Sequence, residues 1–319
     1  FLRPRIKQIL IPAWNIDIIK LQLGIVYVFA GIAKLNYDWL FRAMPLTIWL
    51  PANSELPIIG WLFDYRWVAF AFSWFAMLYD LFIPFLLLNK RTRPTAYVLV
   101  LVFHILTSIM FPIGMFPYIM VLATLIFFPV ATYEKIIDKL SLLFRIKKNQ
   151  STNLNVVTNL FQKKILIGFL SAFFIVQILL PFRYLLYPGK LFWTEEGYRF
   201  SWRVMLMEKA GTTFFYVKDS KSGKESEVGA CGYLTKQQEK MMSTQPDMIL
   251  QFAHFLAEDF KSKGYEDPQV RAQSYVTLNG SGSRPFIDEN VNLAKEPINL
   301  GHKTWVLPFD QNTNVIAGR

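Results

Sequence analysis

Five long apolar runs, all of them before residue 183, set the terms on which this chain can fold: Ile16 to Leu40, Trp67 to Leu88, Thr95 to Phe111, Met115 to Val130 and Lys164 to Phe182. A hydrocarbon layer about 30 Å thick takes roughly 20 apolar residues to cross as a helix, and each run reaches or approaches that length. The 53% hydrophobic and 18% charged content is too apolar for an ordinary soluble domain. The chain is therefore predicted to be a polytopic α-helical membrane bundle over residues 1–182, followed by an extracytoplasmic mixed α/β, β-rich domain over residues 183–319.

The connections refine this. FPIGMFP, from Phe111 to Pro117, ends one helix and re-aims the next, which predicts an antiparallel pair with a tight turn. Pro45, Pro51 and Pro57 break the apolar stretch between the first two runs, so it is expected to be interfacial or re-entrant. Basic residues gather in Lys90 to Arg93 and from Lys135 through Arg145, Lys147, Lys148, Lys163 and Lys164. The positive-inside rule puts both loops in the cytoplasm, together with Arg3, Arg5 and Lys7. Five crossings then deliver everything after Phe182 to the opposite side. This placement also accounts for much of the net charge of +11 without a nucleic-acid partner. The chain begins with Phe1, not Met, which reads as part of a longer product with room for further helices upstream, and no cleavable signal peptide is expected at this start.

In the C-terminal part, TFFYVK and EVGACGYL flank the turn-forming DSKSGK, a hairpin signal. Ile249, Phe252, Leu256 and Phe260 recur at helical spacing within Pro246 to Gly264 and predict an amphipathic helix covering a sheet. AQSYVTLN and KTWVLP are further expected strands.

Ionisable groups at membrane depth cost several kcal/mol, so they normally face a protein interior or a water-filled cavity. Asp17, Lys20, Gly24, Tyr27, Gly31 and Lys34 share one face of the first helix, whose glycines permit close helix approach. Ser73, Met77, Asp80 and Pro84 form a similar stripe on the second, and His104 is followed one turn on by Thr107 and Ser108. Two readings stand side by side. In one, Lys34, Asp80 and His104 make a buried functional site. In the other, Lys34 snorkels to the interface, Asp80 pairs with Lys20, Arg66 or another basic group, and His104 binds a backbone carbonyl.

Other constellations carry less. Cys231 is the one cysteine, which excludes an intramolecular disulfide. His104, His254 and His302 share no metal-ligand spacing, so no metal site is expected. Glu195 and Glu196 are available as catalytic carboxylates, but a solvated pair beside interfacial aromatics is the favoured reading. Asn149 and Asn279 head Asn-x-Ser triplets, the first on the cytoplasmic side and the second in a turn.

YVFAGIAKLNYDWL (Tyr27 to Leu40), LYDLFIPFLLL around Asp80 and FHILTSIMFPIGMFPYIM (Phe103 to Met120) resemble the membrane region of the vitamin K-dependent γ-carboxylase family, the horizontally transferred transmembrane (HTTM) domain. GYRFSWRVM, DMILQFAHFLAEDF and PFID look like that family's lumenal domain. The resemblance covers nearly the whole chain and suggests a short bacterial-type homologue, in a bacterial inner membrane or the endoplasmic reticulum. It implies an enzyme that oxidises reduced vitamin K, a naphthohydroquinone, with O2 to the epoxide and couples this to adding CO2 to a protein-bound glutamate. It further implies that Lys34 matches the initiating base and that His104 matches a histidine near the quinone; from the polar faces, Tyr27, Asp80 and Thr107 are read as further cofactor-binding residues, with Asp80 a structural or electrostatic partner. Chemistry agrees: only a neutral amine accepts a proton, and desolvation favours the neutral form. The partners so implied are the bilayer, the quinone and a glutamate-bearing protein or partner subunit. Ala33 replaces the second lysine of the animal enzymes, and RAMPLTIWLPAN replaces a more polar stretch. A non-catalytic docking subunit and a proton-coupled transporter using Lys34 and Asp80 are the alternatives from other classes.

Overall fold

The computed structural model describes residues 13–144 and 160–309. Arg3, Arg5, Lys7, Arg145, Lys147, Lys148, the Asn149 triplet and Asp310 lie outside them. In chain order the helices are α1 (Ala13–Ala33), α2 (Tyr37–Arg42), α3 (Leu46–Trp49), α4 (Arg66–Leu88), α5 (Arg93–Met110), α6 (Phe116–Thr124), α7 (Val130–Phe144), α8 (Leu160–Leu179), α9 (Leu191–Thr194), α10 (Lys236–Met242) and α11 (Pro246–Ser262). The strands are β1 (Lys209–Lys218), β2 (Glu225–Val228), β3 (Gln269–Leu278) and β4 (Arg284–Pro285). The chain divides into two compact units, residues 1–35 with 71–179, and residues 36–70 with 180–319.

The first unit is helical. Among the described residues four helices, Ala13–Ala33, Arg66–Leu88, Arg93–Met110 and Lys164–Leu186, are long and apolar enough to cross a membrane. The first is shorter than the apolar run that predicts it. It stops at Ala33 because Asn36, extended and capping α2 with its side chain on the Trp39 N–H, starts a new helix. The fourth expected run is likewise not a straight span. Phe116–Phe127 and Val130–Ser141 are bent by 106° across Pro129, whose ring removes a backbone donor and blocks the preceding turn. Around this break Tyr27, Tyr79, Ile83, Leu87, Ala96, Val100, Met120 and Phe127 form the buried core.

Helix α8 is apolar nearly all round yet keeps Ile167, Phe169, Val176 and Leu179 more than half exposed, a surface suited to lipid and not to water. Its Gln177 side chain accepts from Gln22 of α1 at 3.3 Å. Gly31 lets α1 meet α4: a Cβ there would stand 2.7 Å from Leu81 Cγ and 2.8 Å from its backbone nitrogen. Gly31→Ala is therefore expected to push the helices apart at a cost of about 1–3 kcal/mol. A lowered thermal midpoint in detergent would read this out, and an unchanged midpoint would discount the close approach.

The second unit is built on an antiparallel sheet of order β2-β1-β3-β4. Strand alternation buries Thr213, Phe215 and Val217 of β1 and Val270, Ala272, Ser274 and Val276 of β3, with Phe215 opposite Ala272 in register. Helix α11 lays Ile249, Phe252, Ala253 and Leu256 into the same core, which also holds Trp193 and Phe286. The hairpin is as the sequence implies, but β2 ends at Val228, where a short 3-10 turn over Ala230–Gly232 takes over. KTWVLP contributes only a single bridge, Ile287 to Val306.

Residues 36–70 group with this unit through named bonds. Asn279 donates to Asp38 Oδ2 at 3.2 Å and accepts the Glu208 N–H at 2.9 Å, while Trp49 Nε1 donates to Glu208 Oε2 at 2.5 Å. Asn279, the head of the second Asn-x-Ser triplet, is thus buried and occupied.

The β1–β2 turn is closed by Asp219, which accepts from the backbone N–H groups of Lys221, Ser222 and Glu266 and from the Ser222 hydroxyl. These bonds, the hydroxyl first, hold its carboxyl down to about 2 from the ordinary 3.8. A depressed carboxylate contributes stability above its unfolded value that is lost as the pH falls through the folded one. The second unit should accordingly lose stability between about pH 4 and pH 2, and Asp219→Asn should flatten that part of the profile, as followed by thermal melts at stepped pH.

Candidate functional site

The glycine-bearing face of α1 becomes buried in its second half. Asp17 and Lys20 pair with each other at 3.3 Å near the exposed end, whereas Tyr27, Gly31 and Lys34 lie inside. Lys34 Nζ donates to Asp80 Oδ2 of α4 at 2.6 Å and to the Ala30 carbonyl at 3.3 Å, and both residues of the ion pair are at most 7% exposed. A buried pair at this separation offsets the desolvation of each partner, and neither charge is readily left alone.

Two turns earlier on α1 the Tyr27 hydroxyl meets His104 Nε2 of α5 at 3.2 Å, as donor or acceptor according to the tautomer. Tyr79, the residue before Asp80, joins this group. Its ring stacks on Phe103 with centroids 4.1 Å apart and stands edge-on to Tyr27 at 6.1 Å and to His104 at 6.3 Å. The Tyr79 hydroxyl is buried and makes no hydrogen bond of good geometry among the described residues, although the Tyr27 hydroxyl lies near enough to interact with it. Phe116 closes the group on the other side, 6.3 Å from His104.

Sequence reasoning therefore places Lys34, Asp80, Tyr27 and His104 in the interior, and the fold brings them into two adjoining contacts. Thr107 stands apart, since its hydroxyl donates to the carbonyl of His104 in its own helix at 3.0 Å. Asp80 pairs with Lys34 instead of Lys20 or Arg66, and His104 binds a phenol instead of a carbonyl. Tyr79 and Phe103 escaped the sequence reading. The signal for Tyr79 was present: Tyr79, Ile83 and Leu87 follow one another at four-residue spacing and all are buried, one helical step from the polar stripe that includes Asp80.

The second unit corrects a second expectation. Glu195 and Glu196 are not a solvated pair. Glu195 binds the buried Lys209 ammonium at 2.8 Å, and burial holds that ammonium below its usual range against the opposing pull of Glu195. Desolvation of the half-buried Tyr198 hydroxyl, and then the nearby Glu195 carboxylate, push it up to about 12. Glu196 is 4% exposed and accepts from His302 Nδ1 at 2.9 Å and from the Lys303 N–H at 2.5 Å. His254 goes elsewhere, to the Glu296 carbonyl at 2.8 Å. Among the described residues no three His, Cys, Asp or Glu side chains gather as a metal site would require.

A bundle with a buried ion pair, followed by an α/β sheet domain carrying its own buried charges, defines an integral membrane protein with a folded C-terminal domain. Comparison with known families agrees: residues 1–131 match the model of the HTTM domain, and residues 162–312 match that of the vitamin K-dependent gamma-carboxylase lumenal domain. The chain belongs to the vitamin K-dependent gamma-carboxylase family. No solved structure gives a significant match.

Proposed function

We propose that this chain is a quinol-dependent membrane enzyme of the γ-carboxylase type, with Lys34 as the base and His104 with Tyr27 as the group that orients the ligand. The observation that carries the reading is the Lys34–Asp80 pair beside the Tyr27–His104 contact, an acid-base device held away from water.

The residues present suit a naphthohydroquinone. The buried Tyr79 hydroxyl offers a bond to a ligand oxygen, and the rings of Tyr79, Phe103 and Phe116 supply apolar surroundings. When bound, a vitamin K hydroquinone supplies the electrons whose reaction with oxygen generates a base strong enough to remove the γ-proton of a glutamate. The role of Lys34 is to take a proton from a ligand hydroxyl, with Asp80, 2.6 Å away, fixing the position of the amine. Asp80 is then the holding group and not a base itself. His104, anchored through Nε2 by the Tyr27 hydroxyl, presents its polar edge where negative charge develops on an oxygen. The buried setting strengthens each of these interactions and limits loss of reactive species to water.

The test is direct. Purified chain in detergent, given a reduced naphthoquinone, should take up oxygen, and in the presence of a glutamate-containing peptide it should fix labelled CO2. Oxygen uptake without CO2 fixation would retain the quinol chemistry and reject the glutamate acceptor. No quinol-dependent uptake at all would reject the enzyme.

A further inference from the structure

We infer that residues 56–67 form a lipid-inserting hook, in which Ile58 and Trp61 enter the boundary between headgroups and acyl chains of a neutral phospholipid leaflet.

The hook is rigid. Gly60 N–H binds the Leu56 carbonyl at 2.9 Å, Phe63 N–H binds the Gly60 carbonyl at 2.9 Å, and Trp61 Nε1 donates to the Ile58 carbonyl at 2.8 Å. Gly60 itself is buried so tightly that a Cβ would stand 2.2 Å from the Ser54 carbonyl oxygen. Phe63, 2% exposed, and Leu50, fully buried, pin the base of the loop. Against this fixed base Ile58 stands at φ 73°, a left-handed conformation that a β-branched residue adopts only at a cost, and it is 89% exposed. Strain of this kind, spent to hold a large apolar side chain outward, has no use in water.

The side chains beside Ile58 identify the occupant. Trp61, Tyr65 and Trp67 are 62%, 52% and 63% exposed, and Trp61 stands edge-on to Tyr65 at 6.4 Å. Trp and Tyr concentrate where one end of a ring meets hydrocarbon and the other meets water. The chain is also continuous with a membrane span at this point, because α4 starts at Arg66. The loop therefore lies at the mouth of a crossing helix, where the nearest large apolar phase is lipid. Residues 55–67 carry Glu55, Asp64 and one basic residue, the exposed Arg66, so the segment has no net positive charge to draw it to anionic headgroups.

The test uses the single cysteine to advantage. In a Cys231→Ser background, Ile58→Cys is spin-labelled and the protein placed in phosphatidylcholine nanodiscs, with Lys224→Cys, on the exposed β1–β2 turn, as the aqueous reference. Accessibility to oxygen and to a water-soluble nickel chelate is compared at each label. Insertion requires oxygen to exceed the nickel chelate several-fold at position 58 and the reverse at position 224. The same ordering must appear with Trp61→Cys, which serves if the first variant does not fold, and it must persist when phosphatidylglycerol is added to the nanodisc. Equal ratios at 58 and 224 would mean that the hook stands in water. A label shielded from both reagents would mean that protein, either a partner or a second copy, covers it. Either result overturns the proposal.

Discussion

Replacing Lys34 by alanine should lower quinol-dependent oxygen uptake by roughly 10²–10⁴-fold, the span that a positioned base contributes to a rate. The expectation rests on the amine being a basic group that the bundle buries against Asp80. Lys34→Arg should fail to rescue, although charge and length are nearly kept, because a guanidinium does not give up its proton and so cannot take one from a ligand. His104→Phe should act more mildly, since the imidazole is assigned orientation and charge stabilisation. The profile separates the roles: loss of turnover for both Lys34 variants with a raised KM for His104→Phe supports the assignment. Turnover by Lys34→Arg at the native rate would end it, whatever the alanine variant does.

The second large effect concerns folding. Lys34 and Asp80 are each other's counter-ion inside the bundle, so Asp80→Leu alone leaves a buried ammonium and Lys34→Met alone leaves a buried carboxylate. Each single change is expected to cost about 3–5 kcal/mol, whereas the double change should recover most of that loss, because two apolar side chains of similar volume need no partner. Thermal unfolding of the four proteins of the cycle in one detergent measures it. Additive losses would show that the pair contributes no coupling. The double variant also resolves a confusion in the activity test: Lys34→Met/Asp80→Leu should be folded and inactive, which separates absent chemistry from absent structure.

Much of this was legible because helices in a membrane obey strong rules. A run of about 20 apolar residues has few alternatives to a spanning helix, and the three-to-four residue recurrence of Tyr27, Gly31 and Lys34 fixes a face before any partner is known. The DSKSGK turn and the apolar stripe of α11 are similarly local. Where the sequence misled, the controlling interaction lay elsewhere in the chain. The first apolar run continues past Ala33, but Asn36 caps a new helix and Asp38 is held by Asn279, 241 residues away. Residues 36–70 read as an interfacial or re-entrant stretch, and nothing local to them shows that Trp49 is fastened to Glu208. Glu196 looks exposed beside its acidic neighbour, and only the return of the segment bearing His302 and Lys303 covers it.

The sequence by itself determined which residues form helices, which face of each is polar, and hence that Lys34, Asp80 and His104 are candidates at all, since periodicity and desolvation cost act along a single element. Tertiary structure alone decided which candidates meet. A 2.6 Å contact between Lys34 and Asp80 depends on Gly31 admitting Leu81, and the burial of the Tyr79 hydroxyl depends on how α1, α4 and α5 close around it. A hydrogen bond weakens steeply within about an ångström, whereas the pattern that places a residue on a helix face says nothing about the rotation of the neighbouring helix.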